Sequence, residues 1–246
     1  MSSETAPGAS PHDPLVPLRE PLDVPDGYPP RPVDPRDDAA LQRRVEGLMH
    51  ATGALQSGHF LLKSGRHGDR YLEKWALLQH PEAAAEVCRA LAVRVVERLE
   101  GLGTEVDLVA GPTTGGVLLA YELGRLLGVR GIFAEETSGS DAVPRRIFRR
   151  GFVVPPRSRV LLVDDIFTTG SSLVALLAPL YAAGAHPVAA AVVASRTPDA
   201  ATVQSPGREP IPLIAAAALD LPTYEPGRCP LCAAGVPIGA PGSAGR

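Results

Sequence analysis

Apolar residues recur at helical spacing in two segments near the start of the main body of the chain. The apolar face of the first is Leu41, Val45, Leu48 and Met49. Gly53 can end this helix. A longer helix is predicted after Pro81, since proline suits a first helical position. Its apolar face is Val87, Leu91, Val95 and Leu99.

From residue 106 onward, short apolar runs alternate with helical patterns. The predicted strands are residues 106–110, 130–134, 159–163, 188–194 and 213–217. Strand–loop–helix repeats of this kind are typical of a parallel sheet covered on both faces. We therefore predict an α/β fold with a central parallel sheet of about five strands flanked by helices. Ligands bind beyond the carboxyl ends of such strands, so the following loops should share one site.

Composition separates an acidic extension from a near-neutral body. Residues 1–38 contain ten of the 26 prolines, with eight acidic residues against three arginines. Prolines this frequent block helix and strand hydrogen bonds, so a disordered extension is predicted. Residues 39–240 are expected to form one domain, and 241–246 a flexible tail.

Several classes of protein do not fit the composition. No apolar run reaches the roughly 18 residues of a membrane-spanning helix, and the N-terminus lacks the pattern of a secretory signal. Three cysteines are too few for a disulfide scaffold. A net charge of −3 argues against a dedicated nucleic-acid binder. We expect a cytoplasmic protein without membrane or nucleic-acid partners.

Residues 160–173 contain the strongest chemical signal. They read Val-Leu-Leu-Val-Asp-Asp-Ile-Phe-Thr-Thr-Gly-Ser-Ser-Leu: an apolar strand, two acids, a hydroxyl-rich turn and a helix start. Backbone N–H groups and hydroxyls at a helix N-terminus bind phosphate, and Gly170 allows close approach of the backbone. Asp164 and Asp165 can accept hydrogen bonds from vicinal sugar hydroxyls. The pattern indicates a sugar-phosphate site, whereas the Walker A and dinucleotide fingerprints are missing from the sequence.

This segment resembles the motif that binds phosphoribosyl pyrophosphate (PRPP) in type I phosphoribosyltransferases. Three further segments resemble orotate phosphoribosyltransferase: residues 60–66 (Phe-Leu-Leu-Lys-Ser-Gly-Arg) its N-terminal hood, residues 111–117 (Gly-Pro-Thr-Thr-Gly-Gly-Val) its pyrophosphate loop, and residues 194–196 (Ala-Ser-Arg) an orotate contact. The resemblance spans roughly residues 41–238, and it adds a small hood to the expected fold.

The resemblance implies a role for each matching residue. Those assigned to PRPP are Lys63, Thr113, Thr114, Gly115, Gly116, Asp164, Asp165, Ile166, Phe167, Thr168, Thr169, Gly170, Ser171 and Ser172. Those assigned to orotate are Tyr71, Thr168 and Arg196. Mg²⁺ is expected mainly through PRPP, near Asp164 and Asp165.

The sequence departs from many family members after the second predicted strand. Where an Arg-Lys-Glu loop start is common, this chain has Phe133-Ala-Glu135 and then Glu136, as in one bacterial branch. Two carboxylates beside pyrophosphate would repel it. The candidate loop cations are Arg145, Arg146, Arg149 and Arg150, and the sequence does not distinguish which one acts.

The implied reaction converts PRPP and orotate into orotidine 5′-monophosphate and pyrophosphate, a pentosyl transfer of de novo pyrimidine (UMP) biosynthesis. Family members are usually homodimers with shared active sites. Two alternatives stay open: a purine-type phosphoribosyltransferase, and a non-catalytic PRPP-sensing regulator, which Glu135 and Glu136 would support.

Cys229-Pro-Leu-Cys232 has the spacing of half a zinc site. Two more ligands are needed, Cys88 is distant in sequence, and no histidine follows residue 186. A packed or redox-inactive pair is the favoured interpretation. A metal site, completed for example across a dimer axis, is the alternative.

Overall fold

The computed structural model describes residues 37–62, 64–137 and 145–239. The helices are α1 Asp38–Ala51, α2 Lys74–Leu78, α3 Pro81–Glu100, α4 Gly115–Leu127, α5 Ser171–Ala182 and α6 Pro230–Ala233, with a 3₁₀ turn at Pro226–Arg228. The strands are β1 Leu55–Leu61, β2 His67–Leu72, β3 Leu108–Pro112, β4 Arg130–Glu136, β5 Arg146–Phe148, β6 Arg159–Phe167, β7 His186–Ser195, β8 Thr202–Val203, β9 Ile211–Ala218 and β10 Thr223–Tyr224.

The main sheet has seven strands in the order β5-β4-β3-β6-β7-β9-β8. The five central strands run parallel, and the short edge strands β5 and β8 run antiparallel to their neighbours. The predicted α/β fold with about five parallel strands is therefore confirmed. The two edge strands were not predicted, since they contain three and two residues and have no apolar run.

Helices cover both faces of this sheet. Helices α1, α3 and α4 pack on one face and α5 on the other, so two apolar cores form. Strand β6 supplies both cores, with Leu161 and Val163 in the first and Val160 and Leu162 in the second. A strand buried on both sides explains the continuous apolar run that marked it in the sequence.

A second, smaller sheet forms the hood. Strands β1 and β2 make an antiparallel hairpin, and β10 pairs with β2 from the C-terminal end of the domain. The hood expected from residues 60–66 is present, but its third strand comes from residues more than 150 positions away. A two-residue strand leaves no readable pattern in the sequence.

The chain reverses direction across the sheet between β3 and β6. Strand β4 lies on one side of β3 and β6 on the other, so the loops after β3 and β6 flank a topological switch point. The loop after β3 is shorter than predicted, because the strand continues to Pro112 and α4 begins at Gly115. Glycine permits this: a Cβ on Gly111 would lie 2.3 Å from the carbonyl oxygen of Gly116.

The N-terminal end of the described domain is a capped helix. The side chain of Asp37 accepts a hydrogen bond of 2.9 Å from the amide of Ala40, so α1 begins at the edge of the predicted extension. The rest of that extension, residues 1–36, and residues 240–246 lie outside the described residues. Among the described residues, the helices lack the combination of length and apolarity needed to cross a bilayer.

Candidate active site

Two adjacent carboxylates lie at the carboxyl end of β6. Asp164 is 8% exposed and Asp165 is 6% exposed. The amide of Asp165 donates to Asp164 Oδ1 at 2.9 Å, and the amide of Ile166 donates to Asp165 Oδ1 at 2.8 Å. Burial and the neighbouring charge of Asp165 raise the pKa of Asp164 to about 7. Two buried acids held this close favour a cation or a hydrogen-bond donor in contact with them.

A lysine that the sequence did not single out meets this pair. Lys74, the first residue of α2, places Nζ 2.7 Å from Asp165 Oδ2. The glycine-rich loop after β3 also comes close to this carboxylate, since a Cβ on Gly115 would lie 2.0 Å from the same oxygen. Lys74 is one of only two lysines in the chain, and this rarity is the signal that could have marked it.

The loop after β6 presents free helix N–H groups. Gly170 adopts a left-handed conformation (φ 73°) as the N-cap of α5. In the described part of the chain, no side chain caps this helix. The first-turn amides beginning at Ser171 therefore face the loop without an intrahelical partner. This is the local geometry of an anion site at a helix N-terminus.

The loop after β3 is built from Thr113, Thr114 and the first turn of α4. The peptide between the two threonines is cis. The amide of Thr113 donates to Ala134 O at 3.0 Å, so this N–H is not available to a ligand. The expected nest of amides is thus restricted to the residues after Thr113. Gly115 and Gly116 lie in the first turn of α4, where amides lack intrahelical acceptors.

The arginine-rich segment folds back as the edge strand β5. Arg146, whose side chain is 8% exposed, donates from Nη1 to Thr113 Oγ1 at 3.0 Å and to Thr113 O at 3.1 Å. It also lies 3.4 Å from Glu136, and Arg150 lies 2.8 Å from Glu135. Each of the two acids of this segment therefore lies beside an arginine. For Glu136 the cause is the register of β4 with β5, which places it opposite Arg146.

The opposite end of the site contains Arg196 and Tyr71. The amide of Arg196 donates to Phe167 O at 2.8 Å, which fixes the arginine beside the loop after β6. Burial lowers the pKa of Arg196, and the nearby Tyr71 opposes that shift. Burial raises the pKa of Tyr71, with Arg196 again among the opposing charges. The hood strand β2 and the end of β7 thus bring a tyrosine and a half-buried arginine together. Lys63, between β1 and β2, lies outside the described residues.

Comparisons with known proteins agree with this geometry. A sequence model of the phosphoribosyl transferase domain matches residues 74–206, which is more than half of the chain. The orotate phosphoribosyltransferase of Acidithiobacillus ferrooxidans is 40% identical over 201 residues, covering 82% of this chain and 96% of the relative. That of Pelotomaculum thermopropionicum is 37% identical over 199 residues, covering 81% and 96%. The chain belongs to the orotate phosphoribosyltransferase family.

Solved structures of the family share the fold. The orotate phosphoribosyltransferase of Aeropyrum pernix matches with a TM-score of 0.55 and 25% identity, over 70% of this chain and 92% of that one. The enzyme of Mycobacterium tuberculosis matches with a TM-score of 0.53 and 22% identity, over 74% and 97%. At this lower identity the likeness concerns the fold alone. The family assignment and the fold class made from the sequence are both confirmed.

The structure brings most of the sequence-predicted residues to one edge of the sheet. The acid pair, the loop after β6, the loop after β3 and Arg146 gather at the switch point. Arg196 is bonded to Phe167, and its charge and that of Tyr71 influence each other's pKa. Arg145 and Arg149 are exposed on the segment around β5. Lys74 is the site residue that sequence reasoning missed, because it precedes the motifs and contacts them only in the folded domain.

Proposed function

We propose that this protein transfers the phosphoribosyl group of PRPP to orotate, giving orotidine 5′-monophosphate and pyrophosphate in pyrimidine biosynthesis. The proposal agrees with membership of a family whose curated relatives are named orotate phosphoribosyltransferase. One observation carries the choice of base: Arg196 is bonded through its amide to Phe167, at the end of β6, and is close enough to Tyr71 of the hood to influence its pKa. A guanidinium can donate two parallel hydrogen bonds to neighbouring acceptors, as the carboxylate and carbonyl oxygens of orotate would offer.

The phosphoribosyl part would be held at both of its ends. The N–H groups at the start of α5 and the hydroxyls of residues 168–172 would bind the 5′-phosphate. Asp164 and Asp165 would accept hydrogen bonds from the ribose hydroxyls. The first turn of α4, with Thr113 and Thr114, would bind pyrophosphate, with Lys63 as the further contact from the hood. Lys74 would hold the carboxylate of Asp165 in place through its ion pair.

The acid pair also fits Mg²⁺. Carboxylate oxygens are preferred ligands of this ion. Burial, together with the charge of Asp165, raises the pKa of Asp164, so a cation beside the pair would favour its ionised form. Asp164 and Asp165 would hold the ion directly or through water, with PRPP as its main ligand. When bound, Mg²⁺ would neutralise part of the charge of the pyrophosphate.

The remaining task of the protein is to position the reactants and to stabilise the leaving group. Loosening of the C1′–oxygen bond leaves an oxocarbenium-like ribose and a negatively charged pyrophosphate. We propose Arg146 as the arginine that stabilises this charge, since its guanidinium already contacts Thr113 of the pyrophosphate loop. Arg150, paired with Glu135, would hold the edge strand in place.

We further propose that the enzyme is a cytoplasmic homodimer with shared active sites. Leu118 is 48% exposed and Tyr121 is 72% exposed, one turn apart on the outer face of α4. An exposed apolar pair on the helix that follows the pyrophosphate loop suits a surface covered by a second copy. Three unpaired thiols agree with a reducing compartment.

A panel of bases tests the reaction. The purified chain is incubated with PRPP and Mg²⁺ and separately with orotate, uracil, adenine, hypoxanthine or guanine, and the nucleotide and pyrophosphate are quantified. We expect nucleotide product only when the added base is orotate. Turnover with a purine would contradict the assignment of Arg196 and Tyr71, and PRPP binding without any turnover would favour a regulator.

A variant pair sharpens the test of the base pocket. Arg196→Gln should raise the KM for orotate by at least about tenfold while PRPP affinity changes little, since one bidentate charged contact is removed. The control is Arg208→Gln, because Arg208 stacks 4.5 Å from the ring of Tyr181, away from the base pocket. Equal effects of the two substitutions would argue against an orotate contact at Arg196.

A further inference from the structure

Four metal-binding side chains converge where the hood meets the C-terminal segment. His59 lies on β1, His67 begins β2, Cys229 follows the 3₁₀ turn and Cys232 lies in α6. The histidines and cysteines are far apart in sequence: Cys229 follows His59 by 170 positions. The sequence showed the cysteine pair but not the residues that complete it.

The four candidate ligand atoms lie within 4.8 Å of one another. Cys229 Sγ lies 3.5 Å and Cys232 Sγ lies 3.7 Å from His59 Nε2, and Cys232 Sγ lies 3.2 Å from His67 Nδ1. With Zn–N bonds of about 2.0 Å and Zn–S bonds of about 2.3 Å, a tetrahedron places nitrogen and sulfur about 3.5 Å apart. The three nitrogen–sulfur distances are close to this value.

The two imidazole nitrogens are 2.9 Å apart, His59 Nε2 to His67 Nδ1. A tetrahedral zinc site would separate them slightly more, to about 3.3 Å. The small outward movement needed is available to two side chains that face each other edge to face, with ring centroids 4.8 Å apart.

The hydrogen bond of His59 to the backbone also suits a metal ligand. His59 Nδ1 lies 2.7 Å from the carbonyl oxygen of Val236, and a carbonyl can only accept, so Nδ1 carries the proton. Nε2, which lies near both sulfur atoms, is then the nitrogen with a free lone pair. Metal-bound histidines commonly donate their other ring N–H to a backbone carbonyl, which fixes the ring.

Burial protects most of the cluster from solvent. His59 is 2% exposed, His67 is 5% exposed and Cys229 is 3% exposed, whereas Cys232 is at the surface. Burying two imidazoles and two thiols together costs free energy unless a hydrogen-bond donor or a metal ion binds their lone pairs.

We propose that His59, His67, Cys229 and Cys232 bind one zinc ion in a four-coordinate structural site. Two thiolates and two imidazoles are the Cys₂His₂ ligand set that tetrahedral zinc prefers, and soft thiolates disfavour Mg²⁺ and Ca²⁺. Each cysteine releases its proton when it binds, so the site is neutral with zinc. Four protein ligands leave no open position for substrate or water, which excludes a catalytic role for this ion.

The zinc site would connect strands β1 and β2, on either side of the hood loop, to the C-terminal segment. His59 and His67 bracket the seven residues 60–66, which include Lys63. Protein contacts already join the same parts: β10 pairs with β2, Gly239 forms a bridge with Phe60, and Arg66 donates to Thr223 Oγ1 at 2.8 Å. Zinc would therefore fix the loop that the proposed function assigns to PRPP, although the metal site itself does not depend on that function.

Metal content of the full-length chain tests the proposal. The chain is purified without a histidine tag or added metal, and zinc is measured by plasma mass spectrometry. We expect one zinc per chain in the wild type and in the control Cys88→Ser, because Cys88 is a buried cysteine of α3 outside the cluster. The double variant C229S/C232S should lose the metal. Retention of zinc by the double variant would overturn the site.

A spectroscopic test uses the wild type alone, so it does not depend on whether the variant folds. Zinc is removed with a chelator and replaced by Co²⁺. We expect the intense visible bands of tetrahedral cobalt and a thiolate-to-cobalt charge-transfer band, both lost on addition of zinc. Failure of both metals to bind, or a Cys229–Cys232 disulfide in freshly purified protein, would overturn the proposal.

Discussion

Asp164 and Asp165 show how far single residues could be interpreted before the fold was known. Their position between an apolar strand and a hydroxyl-rich turn predicted a sugar-phosphate contact, and both lie buried at the carboxyl end of β6. The sequence did not reveal the raised pKa of Asp164 or the ion pair of Asp165 with Lys74. Burial and partners distant in sequence are properties of the folded chain.

The raised pKa of Asp164 predicts a pH-dependent stability. Asp164 has a folded-state pKa of about 7, above the ordinary 3.8. Its protonated carboxyl therefore stabilises the fold at low pH, and this stabilisation is lost as the pH rises through 7. Asp164→Asn removes the titration and can still accept from the amide of Asp165. The free energy of unfolding of this variant, minus that of wild type, should therefore rise by roughly 2–3 kcal/mol from pH 5 to pH 8. Urea unfolding without PRPP or added Mg²⁺ measures both proteins.

Asp107→Asn is the matched control. Hydrogen bonds from Arg159 hold the pKa of Asp107 down at about 2, so its contribution is present above pH 4 and is lost only as pH falls toward 2. This variant should show no change relative to wild type between pH 5 and pH 8. Parallel pH profiles for wild type and Asp164→Asn would contradict the buried-acid interpretation.

Lys74 provides a second prediction at this scale. Lys74→Met should lower kcat/KM for PRPP by about tenfold or more, because the 9%-exposed side chain of Asp165 loses its positive partner beside another acid. Lys74→Arg should restore part of the loss, since it retains the charge. Steady-state kinetics with orotate saturating measures both. Wild-type kcat/KM in the methionine variant would show that the ion pair has no role in PRPP binding.

At the scale of elements, strand β5 sets the positions of the arginines in residues 145–150. Residues 135–152 were predicted as a polar connection, but pairing of β5 with β4 sets Glu136 opposite Arg146. The register places Arg146 against Thr113 and leaves Arg149 exposed. Three-residue edge strands are set by pairing with a neighbour, and so composition alone could not distinguish these arginines.

The different environments of these two arginines make them a matched pair. Arg146→Gln should lower kcat by roughly tenfold to hundredfold, because a preorganised donor to the leaving group is removed. Arg149→Gln should change kcat by less than about twofold. Rapid-quench or steady-state assays of pyrophosphate release measure both. Equal losses in the two variants would assign the segment only a diffuse electrostatic effect.

At the scale of the whole molecule, the order of strands collects loops distant in sequence into one site. The switch point between β3 and β6 sets the loops that follow these two strands side by side. The exposed pair Leu118 and Tyr121 follows from the same arrangement, since α4 must present its glycine-rich start to the site and one flank to solvent.

Dimer formation through α4 is the prediction at this scale. Tyr121→Arg should convert a dimer to monomer at micromolar concentration, because a charge replaces a large apolar side chain at the centre of the proposed contact. Multi-angle light scattering after size exclusion measures the mass. Leu102→Arg is the control, since Leu102 is 48% exposed but lies outside α4. A wild-type monomer, or a dimer unaffected by Tyr121→Arg, would move the interface elsewhere.

The sequence by itself determined the parallel core strands, the helices on both faces and the hydroxyl-rich turn that leads into a helix after the acid pair. Each of these features depends on local periodicity or on groups a few residues apart, and such patterns can be recognised in the sequence alone. Only the tertiary structure decided that Lys74 meets Asp165, that Arg146 meets Thr113, and that two histidines of the hood lie beside the cysteine pair about 170 residues away. Such contacts depend on strand order and register, and these are set by packing of the whole chain rather than by any one segment.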